Sequence, residues 1–251
     1  MLTAASLMVT GAAAGDAVDR ARTMPDLGVG LHLVLVDGSP ALPPELVPDL
    51  VDSQGLFRAD MVRSAVAMAF RLRVRRQLFA EVEAQFAAFA ATGLKLDHVN
   101  AHKHFHLHPV IASAMLAAGR KFGMNAARAP IEPHDVLVAI EPGSPPRRDP
   151  TGPWARLTRR RLRRAGLTLP DQVFGLAWSG AMTPERLRGL IEHLPPGLTE
   201  IYTHPATGAY PGSAPGYGYA TELRALIDPL AKQAIAREGI ALGCFASFAG
   251  G

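Results

Sequence analysis

The strongest constraint on the fold is an alternation that runs through nearly the whole chain. Short apolar runs take turns with helical patterns, which predicts a parallel sheet with crossover helices. The strand-like runs are Leu2–Thr10, Val29–Val36, Leu94–Ala101, Met124–Ala129, Val173–Ser179, Leu198–Thr203 and Ile240–Phe248. VGLHLVLV at Val29–Val36 has the unbroken apolar character of a strand buried on both sides. Helical patterns cover Gly11–Met24, Asp60 to about Thr92 (one helix or two), Val110–Phe122, Trp154–Ala165, Thr183–Leu194 and Ala220–Arg237. Thr183 suits an N-cap with Pro184 in the first turn, Pro109 can open the fourth pattern, and Gly93 and Gly239 suit helix stops. The segment 130–153 is rich in Pro and Gly and reads as an excursion from the fold. At 251 residues the chain fits a single domain of the α/β barrel type, large enough to bury a core without disulfides.

Barrels and open α/β sheets both place their sites at the carboxyl ends of strands. His102 follows one predicted strand, His204 follows another, and His32 lies within a third. The segment DHVNAHKHFHLHP, Asp97–Pro109, holds five of the chain's nine histidines: His98, His102, His104, His106 and His108. In an extended chain they would share a face, yet His102 and His106 would then stand roughly 13 Å apart, too far for one metal ion. In a helix those two would be neighbours, but Pro109 biases His108 toward an extended conformation. The expectation is therefore a strand ending near His102, a loop, and a helix from Pro109. One or two of these imidazoles can then reach a common ion, and the others line a pocket or orient the ligands. A set of ordinary loop histidines and a metal-storage tract are the alternatives. The interleaved Val99, Phe105 and Leu107 speak against a flexible tract.

Composition narrows the function class. The longest apolar runs are broken by charge well short of about 18 residues, so no membrane span is expected. The first residues lack the basic start of a signal peptide. One cysteine, Cys244, excludes an internal disulfide and points to a reducing compartment. The net charge of +4 is modest but clustered, with Arg71, Arg73, Arg75 and Arg76 in one group and Arg156, Arg159–Arg161, Arg163 and Arg164 in another. These are either solvated helix faces or a surface for anionic lipid headgroups. No nucleic-acid reader motif accompanies them.

GVGLHLVLVDG at 28–38 and DHVNAHKHFHLHP at 97–109 resemble the YdjC-like carbohydrate deacetylases, the ChbG family. LTAASLMVTG at 2–11, DQVFGLAWSG at 171–180 and EIYTHPATG at 200–208 extend the resemblance, which is greatest to the hopanoid-biosynthesis-associated (HpnK) branch. The resemblance implies an irregular (β/α) barrel that removes N-acetyl groups from amino sugars with one divalent metal ion. Zn or Mg is expected, and Mn or Co remains open. It assigns His32 and His102 as metal ligands, Arg128 to the substrate pocket and His204 to proton transfer or leaving-group contact; His104 and His106 are expected to line the same pocket and bind substrate. The implied substrate is an N-acetylglucosaminyl hopanoid lipid, handled in the cytoplasm at the inner membrane face by a homodimer.

One departure stands out. The family pattern begins with a strand ending in Ala-Asp-Asp-Phe-Gly, which supplies the third metal ligand and the general base. Met1 falls about 30 residues into that pattern, so the first strand and helix are expected to be missing from this chain. Asp16, Asp19 and Asp97 are available acids, but their spacing promotes none of them. Amide hydrolysis needs a polarised carbonyl, an activated water and a protonated leaving amine. Without the Asp pair, the chain as it stands is expected to be inactive or poorly active. The rival to an enzyme is a non-catalytic sugar- or lipid-binding relative.

Overall fold

A computed structural model describes residues 1–142 and 152–248, which fall into two compact units. The larger comprises Thr3–Ala129, Pro153–Leu169 and Gly243–Gly251. The smaller comprises Met1–Leu2, Pro130–Gly152 and Pro170–Leu242.

In the larger unit β1 (Ala4–Leu7), β2 (Gly28–Leu33) and β3 (Leu96–Ala101) form a parallel sheet in the order β1-β2-β3. Parallel neighbours need crossovers. Helix α1 (Ala14–Arg22) joins the first pair, and α2 (Met61–Phe70) and α3 (Leu72–Ala91) lie between the second pair. Helix α4 (Pro109–Lys121) follows β3, with Pro109 in its first turn as expected. Val29, Leu31, Leu33 and Val99 bury one sheet face in the core, with Leu78, Val82, Phe86 and Phe89 of α3 and Ile111 and Met115 of α4. Along β2 the alternate positions are Gly28, Gly30 and His32. The run read as apolar on both sides thus has one apolar face and one face reserved for small and polar groups.

Strand β2 also stops three residues sooner than its hydropathy suggests. The main chain of Val34 turns to Gln85, accepting from Nε2 at 2.7 Å and donating to Oε1 at 3.0 Å. Gln85 is the last of three buried polar groups spaced four apart on α3. Glu81 accepts from the N–H groups of Ala41 and Leu42 at 2.8 and 3.0 Å, and Gln77 accepts from that of Asp49 at 2.9 Å. This column satisfies the backbone of the irregular segment after β2, which has no ladder of its own.

The strand expected at Met124–Ala129 is reduced to single parallel bridges, Val99↔Ala127 and Ala126↔Thr168. Pro130 has no N–H with which to prolong the pairing. The strand expected at Ile240–Phe248 does not form. Phe245–Phe248 is a 3-10 turn, and the N–H groups of Phe245 and Ala246 bond the Asp97 carboxylate instead of a neighbouring strand. Helix α6 (Gly152–Arg164) is the basic helix, anchored by buried Ala155, Thr158 and Leu162.

In the smaller unit β4 (Gln172–Phe174), α7 (Pro184–Glu192) and β5 (Thr199–Ile201) make a second parallel pair. Thr183 caps α7 by accepting from Arg186 N–H at 3.2 Å, as its sequence predicts. The helix expected over Ala220–Arg237 is two, α8 (Tyr219–Ile227) and α9 (Pro229–Arg237). Pro229 forces Asp228 into an extended conformation, and the Asp228 side chain caps the new helix. The Pro-rich excursion contains a helix of its own, α5 (His134–Ile140), with Val136 and Leu137 buried; its residues 143–151 lie outside the described residues. Trp178, Met182, Leu187, Leu190 and Phe174 form this unit's core. Strand pairing among the described residues gives two parallel sheets, one of three strands and one of two.

Candidate active site

The site is built on the polar face of the three-stranded sheet. Register places Ser6 beside Gly30, and His32 beside Asn100. Between β2 and β3 the register slips: Val29 pairs Leu96 and Leu31 pairs Val99, so Asp97 and His98 together oppose the single residue Gly30. Such a bulge bends the strand and re-aims side chains. Both side chains then crowd the glycines of β2. A Cβ on Gly28 would lie 2.7 Å from Asp97 Cγ, and one on Gly30 would lie 2.5 Å from the His98 ring. These two glycines are there to make room.

A continuous chain of hydrogen bonds crosses the face. Asp97 Oδ2 meets His98 Nδ1 at 2.8 Å, and His98 Nε2 meets Ser6 Oγ at 2.9 Å. Ser6 Oγ accepts from Asn100 Nδ2 at 2.9 Å, and Asn100 Oδ1 meets His32 Nδ1 at 2.6 Å. The proton order follows from the Asp97 end. Burial disfavours the Asp97 charge, but hydrogen bonds from His98, the Ala246 N–H and Cys244 outweigh it and hold the carboxyl below its usual range. An ionised carboxylate only accepts, so His98 carries its proton on Nδ1. With a neutral imidazole, His98 Nε2 accepts from the Ser6 hydroxyl. Ser6 Oγ then accepts from Asn100, and the amide oxygen is left to face His32. In this order of protons His32 donates from Nδ1 to the Asn100 amide oxygen, and Nε2 is the unprotonated ring nitrogen.

That is the state in which an imidazole binds a metal ion, oriented from behind by a second group. The His102 ring stands edge-on to His32, with centroids 5.8 Å apart. The two strand ends thus bring together the pair singled out in the sequence. As a donor set they fit a divalent ion in part. Among the described residues no group of three His, Cys, Asp or Glu is placed to hold one.

The rest of the histidine segment divides by local demand. His102–Leu107 forms a 3-10 stretch interrupted by Lys103 and His104, both in the left-handed region at φ 50° and 54°. Lys103 pairs with Asp37, itself at φ 48°. His106 is fully buried, and its Nε2 meets the carbonyl of Arg128 at 2.8 Å. Arg128 is likewise buried. His104 packs edge-on to His106 at 6.3 Å. Burial, and after it the Arg75 charge, lowers the pKa of His108. The sequence predicts His104, His106 and Arg128 as substrate contacts. The structure places them around the turn after His102, with His106 and Arg128 facing the interior.

His204 belongs to the smaller unit. Its ring lies between Tyr202 and Tyr217, at centroid distances of 5.7 and 5.2 Å. Its main-chain N–H bonds the buried carboxylate of Glu222, whose Oε2 is 3.9 Å from His204 Nδ1. Tyr217 packs against Gly180, where a Cβ would come within 2.3 Å of the ring, and its hydroxyl meets Ser179 Oγ at 2.8 Å. An exposed imidazole beside a buried carboxylate is equipped to exchange a proton. Sequence reasoning missed Glu222 and Tyr217. It also missed Ser6 and the relay through His98, for which period-two alternation of small and polar residues in β1, β2 and β3 was the available signal.

A parallel α/β protein with two strand-end imidazoles, one aligned by a hydrogen-bonded relay, is the class that this fold and site define. Residues 1–237 match the model of the YdjC-like protein family, and the chain belongs to that family. A carbohydrate deacetylase of Brevibacillus brevis is 39% identical over 124 residues, a match covering 49% of this chain and 46% of that protein. The chain thus spans about half the length of that relative. A carbohydrate deacetylase of Geobacillus stearothermophilus is 29% identical over 99% of this chain and 87% of its own. A solved structure from Enterococcus faecalis, provisionally described as a cellobiose-phosphate cleavage protein, superposes with a TM-score of 0.72 at 24% identity. It covers 98% of this chain and 88% of that one, a likeness of fold.

Proposed function

We propose that this protein is a carbohydrate N-deacetylase, hydrolysing the acetamido group of an amino sugar. The observation that carries the proposal is the hydrogen-bonded relay from Asp97 to His32 Nδ1, which orients the His32 ring beside that of His102. Family membership supports it, as do relatives named carbohydrate deacetylases. His32 and His102 would hold a divalent ion, and imidazole donors favour Zn over Mg. When bound, such an ion supplies Lewis acidity toward the amide carbonyl and lowers the pKa of water. The chain's own contribution is orientation. Asn100 fixes the His32 ring, Ser6 fixes the amide, and Asp97 fixes the order of protons behind them. The family resemblance assigns proton transfer to His204, which has the Glu222 carboxylate behind it within its own unit.

A lipid-linked acetylglucosaminyl substrate of the hopanoid type is the finer part of this proposal. The resemblance to the hopanoid-associated branch supports it, as do the exposed arginines of α6 with Trp154 and Leu157 at its surface. No helix among the described residues is long and apolar enough to cross a membrane, so contact with lipid would be peripheral.

The test pairs metal analysis with acetate release from N-acetylglucosaminyl substrates. One ion per chain, lost in both His32→Ala and His102→Ala, is the expected result, together with loss of the acetate release, which is low in the wild type because no carboxylate among the described residues completes the pair. A bound ion and bound sugar with no acetate released would favour the non-catalytic relative. Metal affinity unchanged in His32→Ala would remove the site altogether.

A further inference from the structure

Helix α2 is inverted. Its buried residues include Ser64 and Met68, while Val62, Val66 and Phe70, spaced four apart on one stripe, are 75, 54 and 83% exposed. The chain then breaks at Arg71, which is extended, and α3 begins with Leu72, 70% exposed. Phe70 and Leu72 therefore flank an exposed elbow between two helices. Helices of a water-soluble surface put such residues inward, and an apolar stripe of this kind rimmed by charge marks an interaction site.

The rim is of one sign. From Met61 to Gln77 the chain has five arginines and no Asp or Glu. Arg75 is turned inward, where its guanidinium caps the carbonyls of Met68 and Ala69 and so holds the elbow's shape. Arg63, Arg71, Arg73 and Arg76 are exposed. The nearest acids are already engaged: Asp60 accepts from the Arg63 N–H as the cap of α2, and Asp49 pairs with Arg73 at 2.9 Å and accepts from Gln77.

We infer that the α2–α3 elbow docks on an anionic lipid bilayer. Phe70 and Leu72 reach the boundary of the acyl chains, and the arginines around them meet headgroup phosphates. Their aliphatic stems lie along the apolar stripe while the guanidiniums stay wet. A second copy of the chain is the poorer occupant. A two-fold contact through this stripe would bring the same arginine cluster against itself, with Asp49 and Asp60 already engaged at Arg73 and the α2 cap.

The test is cosedimentation of the full chain with vesicles of phosphatidylcholine, alone or mixed with phosphatidylglycerol. Binding is expected to the mixed vesicles only, to weaken with added salt, and to fall at least about tenfold in Phe70→Ser/Leu72→Ser. Far-UV circular dichroism and hydrolysis of a soluble acetamido sugar should be unchanged in that variant. Arg71→Gln/Arg76→Gln should bind more weakly and with a shallower salt dependence. The inference is overturned if the wild type ignores anionic vesicles, or if the double serine variant binds them as well as the wild type does. It is also overturned if the wild type is a dimer that the variant dissociates and neither binds lipid. Vesicle binding is measured without sugar, so its failure leaves the deacetylase proposal standing.

Discussion

Replacing Asn100 by Ala cuts the relay at the link that touches His32. Asn100 is fully buried and makes two hydrogen bonds, at 2.6 Å to His32 and 2.9 Å to Ser6. Each such bond contributes about 1 kcal/mol net. His32 is half-buried and Ser6 is exposed, so water can reach the groups left behind and the penalty for an orphaned donor stays small. The expected loss is about 2 kcal/mol, which for a chain of this size lowers Tm by about 4–8 °C. The sharper readout is the tautomer. Long-range nitrogen–proton NMR of the metal-free protein should place the His32 proton on Nδ1, and Asn100→Ala should release it to a mixture. Asn100→Asp should keep the proton on Nδ1, because a carboxylate also accepts there, and should raise the His32 pKa through the adjacent negative charge. Zinc affinity should fall about 10–100-fold in Asn100→Ala, the usual effect of removing a group that orients a ligand. An unchanged Nδ1 tautomer in Asn100→Ala would refute the relay, whatever happened to Tm.

Further tests follow from the same geometry. Gly30→Ala places a methyl 2.5 Å from the buried His98 ring and should cost about 1–3 kcal/mol, seen as a lower denaturant midpoint with unchanged slope. The folded pKa of Asp97 is depressed, so its stabilisation is present above the usual aspartate value of about 3.9 and is lost as pH falls through the folded value. Asp97→Asn should therefore be less stable than the wild type at neutral pH, and the gap in thermal midpoint should close on acidification. Glu81 has the opposite sign. Burial raises its pKa despite bonds from Ala41, Gln85 and Leu42, so the native state holds the extra proton and stability falls as pH rises from the usual glutamate range through the raised value. Denaturant titrations across that window should show Glu81→Gln without this slope. His104→Gly should relax one left-handed residue and raise Tm by a few degrees, provided the Lys103–Asp37 pair is kept.

Much of the fold was legible because it is local. Thr183-Pro184 announces a helix start, Gly93 a stop, and Pro109 the opening of α4, each through the few dihedral angles that those residues accept. The failures share one cause, which is competition from distant groups. Ile240–Phe248 has the composition of a strand, yet the Asp97 carboxylate takes the two N–H groups a ladder would need. Val34–Val36 looks like the end of β2, yet Gln85 claims the main chain there. Asp228-Pro229, by contrast, was a local signal passed over inside a strong helical pattern.

The histidine segment shows the same limit at the site. As a string it suggests one purpose for five imidazoles. In the structure they answer separate demands: His98 turns with Asp97 through a bulge onto Ser6, His102 meets His32, and His104 and His106 pack on each other, with His106 against the Arg128 carbonyl. What makes His102 a candidate ligand is His32, some seventy residues earlier, and what prepares His32 is an amide and a serine with no metal chemistry of their own. Enrichment located the region, but the proton on His32 is decided at the buried end of the relay. A variant at Ser6 or Asp97, both set further back in the relay than Asn100, should therefore change the His32 tautomer, whereas one at His108 should leave it alone.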